Sequence, residues 1–177
     1  MTLAAAACTL LLIDFQQRLM PSIAGGEAVV ANAKRLAEAA RLLDVPVLAT
    51  EQNPAGLGGT VAVLAPLPSR VLPKNFFDAT REATFDGSLP AECPIVVVAG
   101  CETHVCVMQT VLGLLRHGRP VALVSDAVGS RREDNRDAAL ARAKAHGAEL
   151  VTTEMVVFEW LETSDHPRFR DALRLVK

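Results

Sequence analysis

Short runs rich in valine, leucine and isoleucine alternate with longer helical patterns along the chain, and this alternation most constrains its fold. The predicted strands cover 9–14, 46–50, 70–73, 94–100, 120–125 and 149–153. Most of them are continuously apolar, which is typical of strands buried on both faces. The helical patterns cover 26–43, 104–116, 133–145, 154–161 and 167–175. The alternation predicts an α/β fold, a three-layer sandwich whose six-stranded parallel sheet carries helices on both faces.

Length and charge restrict the class of protein. The 177 residues suit one domain with a full hydrophobic core, and no linker interrupts the pattern, so we expect a single domain over 1–177. Eighteen basic and 20 acidic residues give a net charge of −2, which offers no basic surface for a nucleic acid or an anionic membrane. We therefore expect a small-molecule substrate and no nucleic-acid or membrane partner.

The most apolar stretch, 3–13, is shorter than the roughly 20 residues that a membrane span needs. It also lacks the basic start and the small-residue cleavage site of a signal peptide, so we expect a cytoplasmic protein. The cysteines form no CxxC pair and indicate neither a zinc site nor a disulfide framework. They are Cys8, Cys93, Cys101 and Cys106.

Polar side chains stand at the carboxyl ends of three predicted strands, where ligands bind in open α/β sheets. Asp14 ends the first strand, Lys74 follows the third, and Cys106 lies in the first turn of the helix after the fourth. With a strand order of 3-2-1-4-5-6, strands one and four are neighbours about 5 Å apart. Asp14 and Cys106 are then expected to meet where the strand order reverses, within reach of the long Lys74 side chain.

These three residue types suit covalent catalysis by a thiol. A helix N-terminus and a nearby lysine both favour the thiolate of Cys106, and Asp14 would accept its proton. Taken singly, each residue also has an ordinary explanation: Asp14 as a turn cap, Lys74 as a solvated charge and Cys106 as a buried small side chain. The combination favours a cysteine nucleophile with a carboxylate base.

Several segments together resemble the isochorismatase-like cysteine hydrolase superfamily over essentially the whole chain. They are LLIDFQ at 11–16, VLPKNFF at 71–77, AGCETHVCVMQT at 99–110 and LVSDAVGSR at 123–131. Three further segments are similar to isochorismatase-domain-containing proteins of unassigned substrate. They are TEQNPAGLGGT at 50–60, VTTEMVVFEWL at 151–161 and DHPRF at 165–169.

The resemblance implies a catalytic triad of Asp14, Lys74 and Cys106. In such a site, Asp14 deprotonates Cys106, and the thiolate attacks an amide, nitrile or related C–N substrate to give a thioester-type intermediate that water hydrolyses. Lys74 stabilises the developing charge. The resemblance also implies a cis peptide bond between Cys101 and Glu102, with the backbone N–H groups of Glu102 and Cys106 forming an oxyanion hole.

Departures from family patterns narrow the function. Nicotinamidases of this superfamily hold a metal ion with aspartate and histidine after the second strand, whereas this chain has Glu51, Gln52 and Asn53 there and no histidine before His104. We therefore expect no metal ion and no cofactor. Two alternatives stay open: an isochorismatase-type hydrolase that cleaves a vinyl ether without using Cys106, and a non-catalytic binding or scaffold protein.

Four further residues near the strand ends are candidates for the substrate pocket: Gln17, Glu51, Phe76 and Phe77. For Phe76 and Phe77, a place in the core or at a subunit interface fits the sequence at least as well as a place in the pocket. Because members of this superfamily are usually oligomers, we expect a homo-oligomer. The apolar segment of Trp160 suits either the core or the subunit interface, and we favour the interface.

Overall fold

All six strands lie parallel in one sheet, in the order β3-β2-β1-β4-β5-β6, in the computed structural model, which describes residues 2–177. They are β1 Cys8–Ile13, β2 Val47–Gln52, β3 Arg70–Lys74, β4 Ile95–Cys101, β5 Val121–Gly129 and β6 Glu149–Val151. This confirms the predicted strand order. Strand β5 continues beyond its predicted end at Ser125, because a register shift opposite Val98 and Gly100 lets Val128 and Gly129 pair again with β4.

Helices cover both faces of the sheet, which confirms the three-layer architecture. They are α1 Gly26–Leu42, α2 Pro54–Leu57, α3 Met108–Arg116, α4 Glu133–Ala145, α5 Thr153–Leu161 and α6 Phe169–Val176. Helices α1, α5 and α6 pack on one face, and α3 and α4 pack on the other. None of the helices within residues 2–177 combines the length and apolar character needed to cross a membrane.

The sheet separates two hydrophobic cores, and successive residues of one strand serve opposite sides. In β1, Leu10 and Leu12 pack into the core beneath α1, whereas Leu11 and Ile13 pack into the core beneath α3. Burying each such side chain contributes about 1.5–3 kcal/mol. Continuous apolar strands are therefore what this fold requires, and both cores hold the carboxyl edge of the sheet in place.

The prediction that Trp160 lies at a subunit interface is wrong. Its side chain is buried in the core beneath α1, because α5 packs against that helix. The apolar character of the segment is satisfied by packing inside one protomer.

Gly100 allows the ends of β1 and β4 to lie close together. It pairs with Ile13, and a Cβ atom at this position would lie 2.4 Å from the carbonyl oxygen of Ile13. Its φ of +153° is also one that other residues rarely adopt. The close approach brings Asp14, which follows β1 directly, beside the turn that follows β4.

Candidate active site

A buried ion pair lies at the carboxyl edge of the sheet. Asp14 Oδ2 and Lys74 Nζ are 2.8 Å apart, and both side chains have no exposed surface. Between their strands runs β2, from which Thr50 Oγ1 donates a hydrogen bond of 2.7 Å to Asp14 Oδ1. Because a buried charge is costly unless it is paired and hydrogen-bonded, the pair and its threonine partner form one unit.

Gln52, the last residue of β2, takes part in the same cluster. Its Oε1 atom accepts a hydrogen bond of 2.7 Å from Lys74 Nζ, and the carbonyl oxygen of Phe76 lies 3.4 Å from the same nitrogen. An ammonium group has three N–H donors. Asp14, Gln52 and Phe76 together supply one acceptor for each of them.

Cys106 completes the cluster from the turn that follows β4. It lies in a π-helical turn, Thr103–Val107, which precedes α3 where the sequence predicts ordinary α-helix from residue 104. Its thiol interacts with Asp14 and Lys74 and lies 3.9 Å from Gln52 Oε1. The residue is 6% exposed. The structure thus brings Asp14, Lys74 and Cys106 into one contact group that is almost fully buried.

The surroundings of Cys106 favour the thiol over the thiolate. Burial raises the pKa of Cys106 to about 12, and the negative charge of Asp14 raises it further than the positive charge of Lys74 lowers it. The expectation of thiolate character in the free site is therefore wrong. The helix terminus and Lys74 both lower the pKa of the thiol. Their effects are outweighed because the sulfur is removed from water and faces a carboxylate.

Two interactions fix the backbone between β4 and Cys106. The peptide bond between Cys101 and Glu102 is cis. The Glu102 carboxylate accepts hydrogen bonds from the backbone N–H and the guanidinium of Arg131, at 3.0 and 3.1 Å. His104 Nδ1 lies 3.0 Å from Ser130 Oγ, so this histidine pairs with the loop after β5. The turn that carries Cys106 is thereby tied to the loop between β5 and α4.

The predicted pocket residues lie around this cluster in different ways. Glu51 Oε1 accepts hydrogen bonds of 2.7 Å from both the backbone N–H and the hydroxyl of Thr60, so it holds the loop after β2. Gln17 is exposed and lines an open groove with Met20 and Val61, whose lining does not include the ion pair.

Phe76 and Phe77 follow Lys74 at the surface and are 45% and 50% exposed. The core alternative for these two rings is therefore wrong. Phe76 lies beneath the guanidinium of Arg81, whose carbon is 4.6 Å from the ring centroid.

Sequence reasoning missed Thr50 and Gln52. Side chains alternate along a strand, so residues 50 and 52 share one side of β2 and residue 51 points to the other. In register, Thr50 lies beside Ile13 and Gln52 beside Lys74. This alternation selects Thr50 within the predicted second strand, and it selects Gln52 in place of Glu51 once the strand is extended to the end that the structure shows.

Across residues 2–177, no group of three or more histidine, cysteine, aspartate or glutamate side chains is placed to hold a metal ion. The chemistry available at the cluster is that of a thiol, a carboxylate and an ammonium in contact, with polar groups from β2 around them.

Known proteins share this sequence and fold. Residues 8–155 match the isochorismatase domain family. Mouse isochorismatase domain-containing protein 2A is 37% identical over 168 residues, which are 95% of this chain and 82% of that protein. The MAR1 ribonuclease from Caenorhabditis elegans superposes with a TM-score of 0.93 at 32% identity, covering 99% of this chain and 92% of that one.

YcaC from Pseudomonas aeruginosa, solved with hexane-2,5-diol and covalent acrylamide, has a TM-score of 0.88 at 26% identity and covers 98% of this chain and 91% of its own. The family match extends over most of the chain, and the mouse relative is similar over nearly all of it. The chain therefore belongs to the isochorismatase domain family, a family of isochorismatase-like hydrolases.

Proposed function

We propose that the protein is a cysteine hydrolase that cleaves a small amide, nitrile or related C–N substrate through a thioester-type intermediate. The observation that carries this proposal is a buried thiol, Cys106, in contact with the carboxylate of Asp14 and the ammonium of Lys74. Each group has a role in such a reaction: nucleophile, proton acceptor and stabiliser of negative charge.

In the first step, the sulfur of Cys106 forms a bond to the carbonyl or nitrile carbon, and a π electron pair of that carbon moves to its oxygen or nitrogen. Because burial and Asp14 raise the pKa of Cys106 to about 12, the thiol proton passes to Asp14 as the bond forms and not before it. Lys74 and the backbone N–H groups of Glu102 and Cys106 stabilise the developing negative charge.

In the second step for an amide, the electron pair returns, the C–N bond breaks, and the leaving amine takes the proton from Asp14. Water then attacks the thioester while Asp14 accepts a proton from it. The C–S bond breaks, the acid is released, and the sulfur regains its proton. Only 6% of the Cys106 surface is exposed, which suits a small substrate.

The covalent acrylamide in YcaC supports this proposal. Acrylamide is both a small amide and an electrophile to which thiolates add. We expect the same reagent to modify Cys106 in this chain, which intact-protein mass spectrometry followed by peptide mapping would show as one acrylamide adduct on that residue.

The test is a screen of small amides and nitriles with the parent protein, Cys106→Ala and the matched variant Cys101→Ala. We expect Cys106→Ala to lose on the order of 10³-fold or more in rate on any substrate found, and Cys101→Ala to keep its activity. Acid quenching during turnover should trap an acyl adduct on the parent protein. Full activity of Cys106→Ala on every substrate would overturn the proposal.

Hydrolysis of a vinyl ether is the second candidate, and the protonated resting thiol favours it. An Asp14–Lys74 pair that is charged beside a neutral thiol supplies acid and base groups without a nucleophile. A vinyl ether in the same screen separates the two, because Cys106→Ala would retain that activity. RNA also belongs in the screen, because the similar C. elegans protein is called a ribonuclease. We expect no cleavage, since Cys106 is only 6% exposed and the chain carries a net charge of −2.

We also propose that the protein forms a homo-oligomer that covers Phe76 and Phe77. Both rings are about half exposed and follow Lys74 directly. Light scattering after size-exclusion chromatography gives the subunit number, and a monomeric mass at micromolar concentration would contradict the proposal.

A further inference from the structure

Gln52 places a hydrogen-bond acceptor between the two groups that a thiolate mechanism must bring together. Its Oε1 atom lies 2.7 Å from Lys74 Nζ and 3.9 Å from Cys106 Sγ. The same oxygen therefore accepts from the ammonium and faces the thiol. A thiolate at Cys106 needs donors from Lys74, which interacts with the sulfur, and Gln52 Oε1 competes with the sulfur for the donors of the same ammonium.

The orientation of Gln52 is fixed by its neighbours. Its Nε2 atom donates to the carbonyl oxygen of Asn75 at 2.9 Å, which leaves Oε1 as the end that faces Lys74. Its backbone is held by the Gln16 side chain, whose Oε1 accepts from Gln52 N at 2.8 Å and whose Nε2 donates to Gln52 O at 3.0 Å. Gln16 itself is fully buried. The acceptor is thus held in place by bonds at both ends of the residue.

The charged groups that face the sulfur are Asp14 from the end of β1 and Lys74 from the end of β3. Gln52 adds a neutral acceptor from β2, between them. An acceptor oxygen next to sulfur favours S–H over S⁻, because lone pairs face each other in the ionised form. By accepting from Lys74, the same oxygen also removes one of the three donors that would stabilise the thiolate.

We infer that Gln52 is a positioning residue that holds Lys74 Nζ on its own side-chain oxygen and so adds to the burial and the Asp14 charge that favour the thiol form of Cys106. This inference rests on the proposed cysteine-dependent function and concerns the regulation of the same site. It assigns Gln52 an action through Lys74 and not a contact with the reacting carbon.

The test measures alkylation of Cys106 by iodoacetamide, read by peptide mass spectrometry, between pH 7 and 9.5. Gln52→Met preserves the length of the side chain but removes the acceptor, so Lys74 can donate to the sulfur. We expect the Cys106 alkylation rate to rise at least about tenfold at each pH, the change in thiolate fraction that one pKa unit produces. Gln17→Met, an exposed glutamine with no bond to the cluster, is the matched control and should react like the parent.

Gln52→Glu gives a shift in the opposite direction. A carboxylate at this position accepts more strongly from Lys74 and adds negative charge beside the sulfur, so Cys106 should react more slowly than in the parent. Opposite shifts from two substitutions at one position would not follow from loosened packing alone. For the hydrolytic reaction, the alkaline rise of kcat/KM should move to lower pH in Gln52→Met and to higher pH in Gln52→Glu.

The inference is overturned if Cys106 reacts no faster in Gln52→Met than in the parent, with circular dichroism showing that the variant is folded. If Gln52→Met does not fold, Gln52→Glu decides: slower alkylation supports the inference, and an equal or faster rate overturns it. The proposed function fails by a separate result, full hydrolysis by Cys106→Ala, which does not depend on Gln52.

Discussion

Cys101 and Cys106 are five residues apart, both are buried, and burial is the main cause that raises the pKa of each thiol to about 12. Their surroundings differ. Cys101 ends β4 and packs into the core beneath α1, where its sulfur interacts with the backbone N–H of Gly129. Cys106 lies on the other side of the sheet, against Asp14 and Lys74.

The comparison teaches that a shifted pKa does not by itself identify a nucleophile. Burial raises the pKa of both thiols, but of the two only Cys106 is in hydrogen-bonding contact with a carboxylate that can receive the proton and an ammonium that can stabilise the sulfur that loses it. Only Cys106 also has any exposed surface, since Cys101 is fully buried. The neighbours of a thiol, and not the value of its pKa, therefore distinguish the proposed nucleophile from a core residue.

Of the expected effects on the free energy of unfolding, the largest is the loss caused by removing the Lys74 ammonium, which lies beside Cys106. Lys74→Met leaves Asp14 buried without its ion partner, and we expect the free energy of unfolding in urea to fall by about 3–5 kcal/mol. Lys34→Met removes a lysine from a partly exposed pair with Glu38 at 3.7 Å and should change it by no more than about 0.5 kcal/mol. Equal losses in the two variants would contradict the buried pair.

Removing the hydroxyl that supports Asp14 should have a smaller effect. Thr50→Val keeps the shape of the side chain but deletes the 2.7 Å hydrogen bond to Asp14 Oδ1, and we expect a loss of about 1.5–3 kcal/mol in the same measurement. Thr103→Val is the matched control, because the buried Thr103 hydroxyl has no hydrogen-bond partner within residues 2–177. That variant should unfold at the same urea concentration as the parent, or at a slightly higher one.

The strand positions and the two-sided core were predictable because doubly buried strands carry a strong apolar signal, whereas the strand order was taken from open α/β sheets and is confirmed. The same signal gave the carboxyl ends of the strands and hence Asp14, Lys74 and Cys106, which the structure places in contact. Strand ends that contain polar residues were not predicted. Ser125 and Asp126 ended the predicted fifth strand early, although β5 continues to Gly129.

Gln52 was missed for a related reason. The apolar run of the second strand stops at Thr50, so residues 51 and 52 were assigned to a loop, where side chains have no fixed alternation. The structure extends β2 to Gln52, and alternation then places Gln52 on the side of Thr50. Whether β2 continues as far as residue 52 depends on its pairing with β3, and that pairing is a tertiary property.

Asp14→Asn should separate the reactivities of the two thiols. It removes a negative charge that raises the pKa of Cys106 while Lys74 stays, so the thiolate fraction rises. We expect Cys106 to be alkylated at least about tenfold faster at pH 8, which corresponds to about 1.4 kcal/mol, and amide hydrolysis to be lost with the proton acceptor.

Cys101 in the same Asp14→Asn sample is the internal control. Its sulfur has no exposed surface, so iodoacetamide should leave it unmodified in the folded protein. A slower reaction at Cys106, or unchanged hydrolysis, would show that Asp14 does not act on the thiol as the comparison requires.

Alkaline pH should lower the free energy of unfolding through both thiols, because both have a raised pKa. This is the smallest of the expected effects. The ordinary thiol pKa is 9.0, and in the folded protein it is raised to about 12 for both residues. Between these values the unfolded chain loses the proton and the folded chain keeps it, so stability is full below pH 9 and falls as the pH rises. Each thiol should lower the free energy of unfolding by about 1.4 kcal/mol between pH 8 and 10.

Urea unfolding of Cys101→Ala and Cys106→Ala at pH 8 and pH 10, with a reductant present, isolates each contribution from the other titrating groups. In each variant, the loss between the two pH values should be about 1.4 kcal/mol smaller than in the parent. A loss equal to that of the parent would mean that the thiol concerned is not held protonated by the fold. If both variants show the same reduction but only Cys106→Ala loses hydrolysis, burial accounts for the protonation of both sulfurs and the Asp14–Lys74 pair accounts for the reactivity of one.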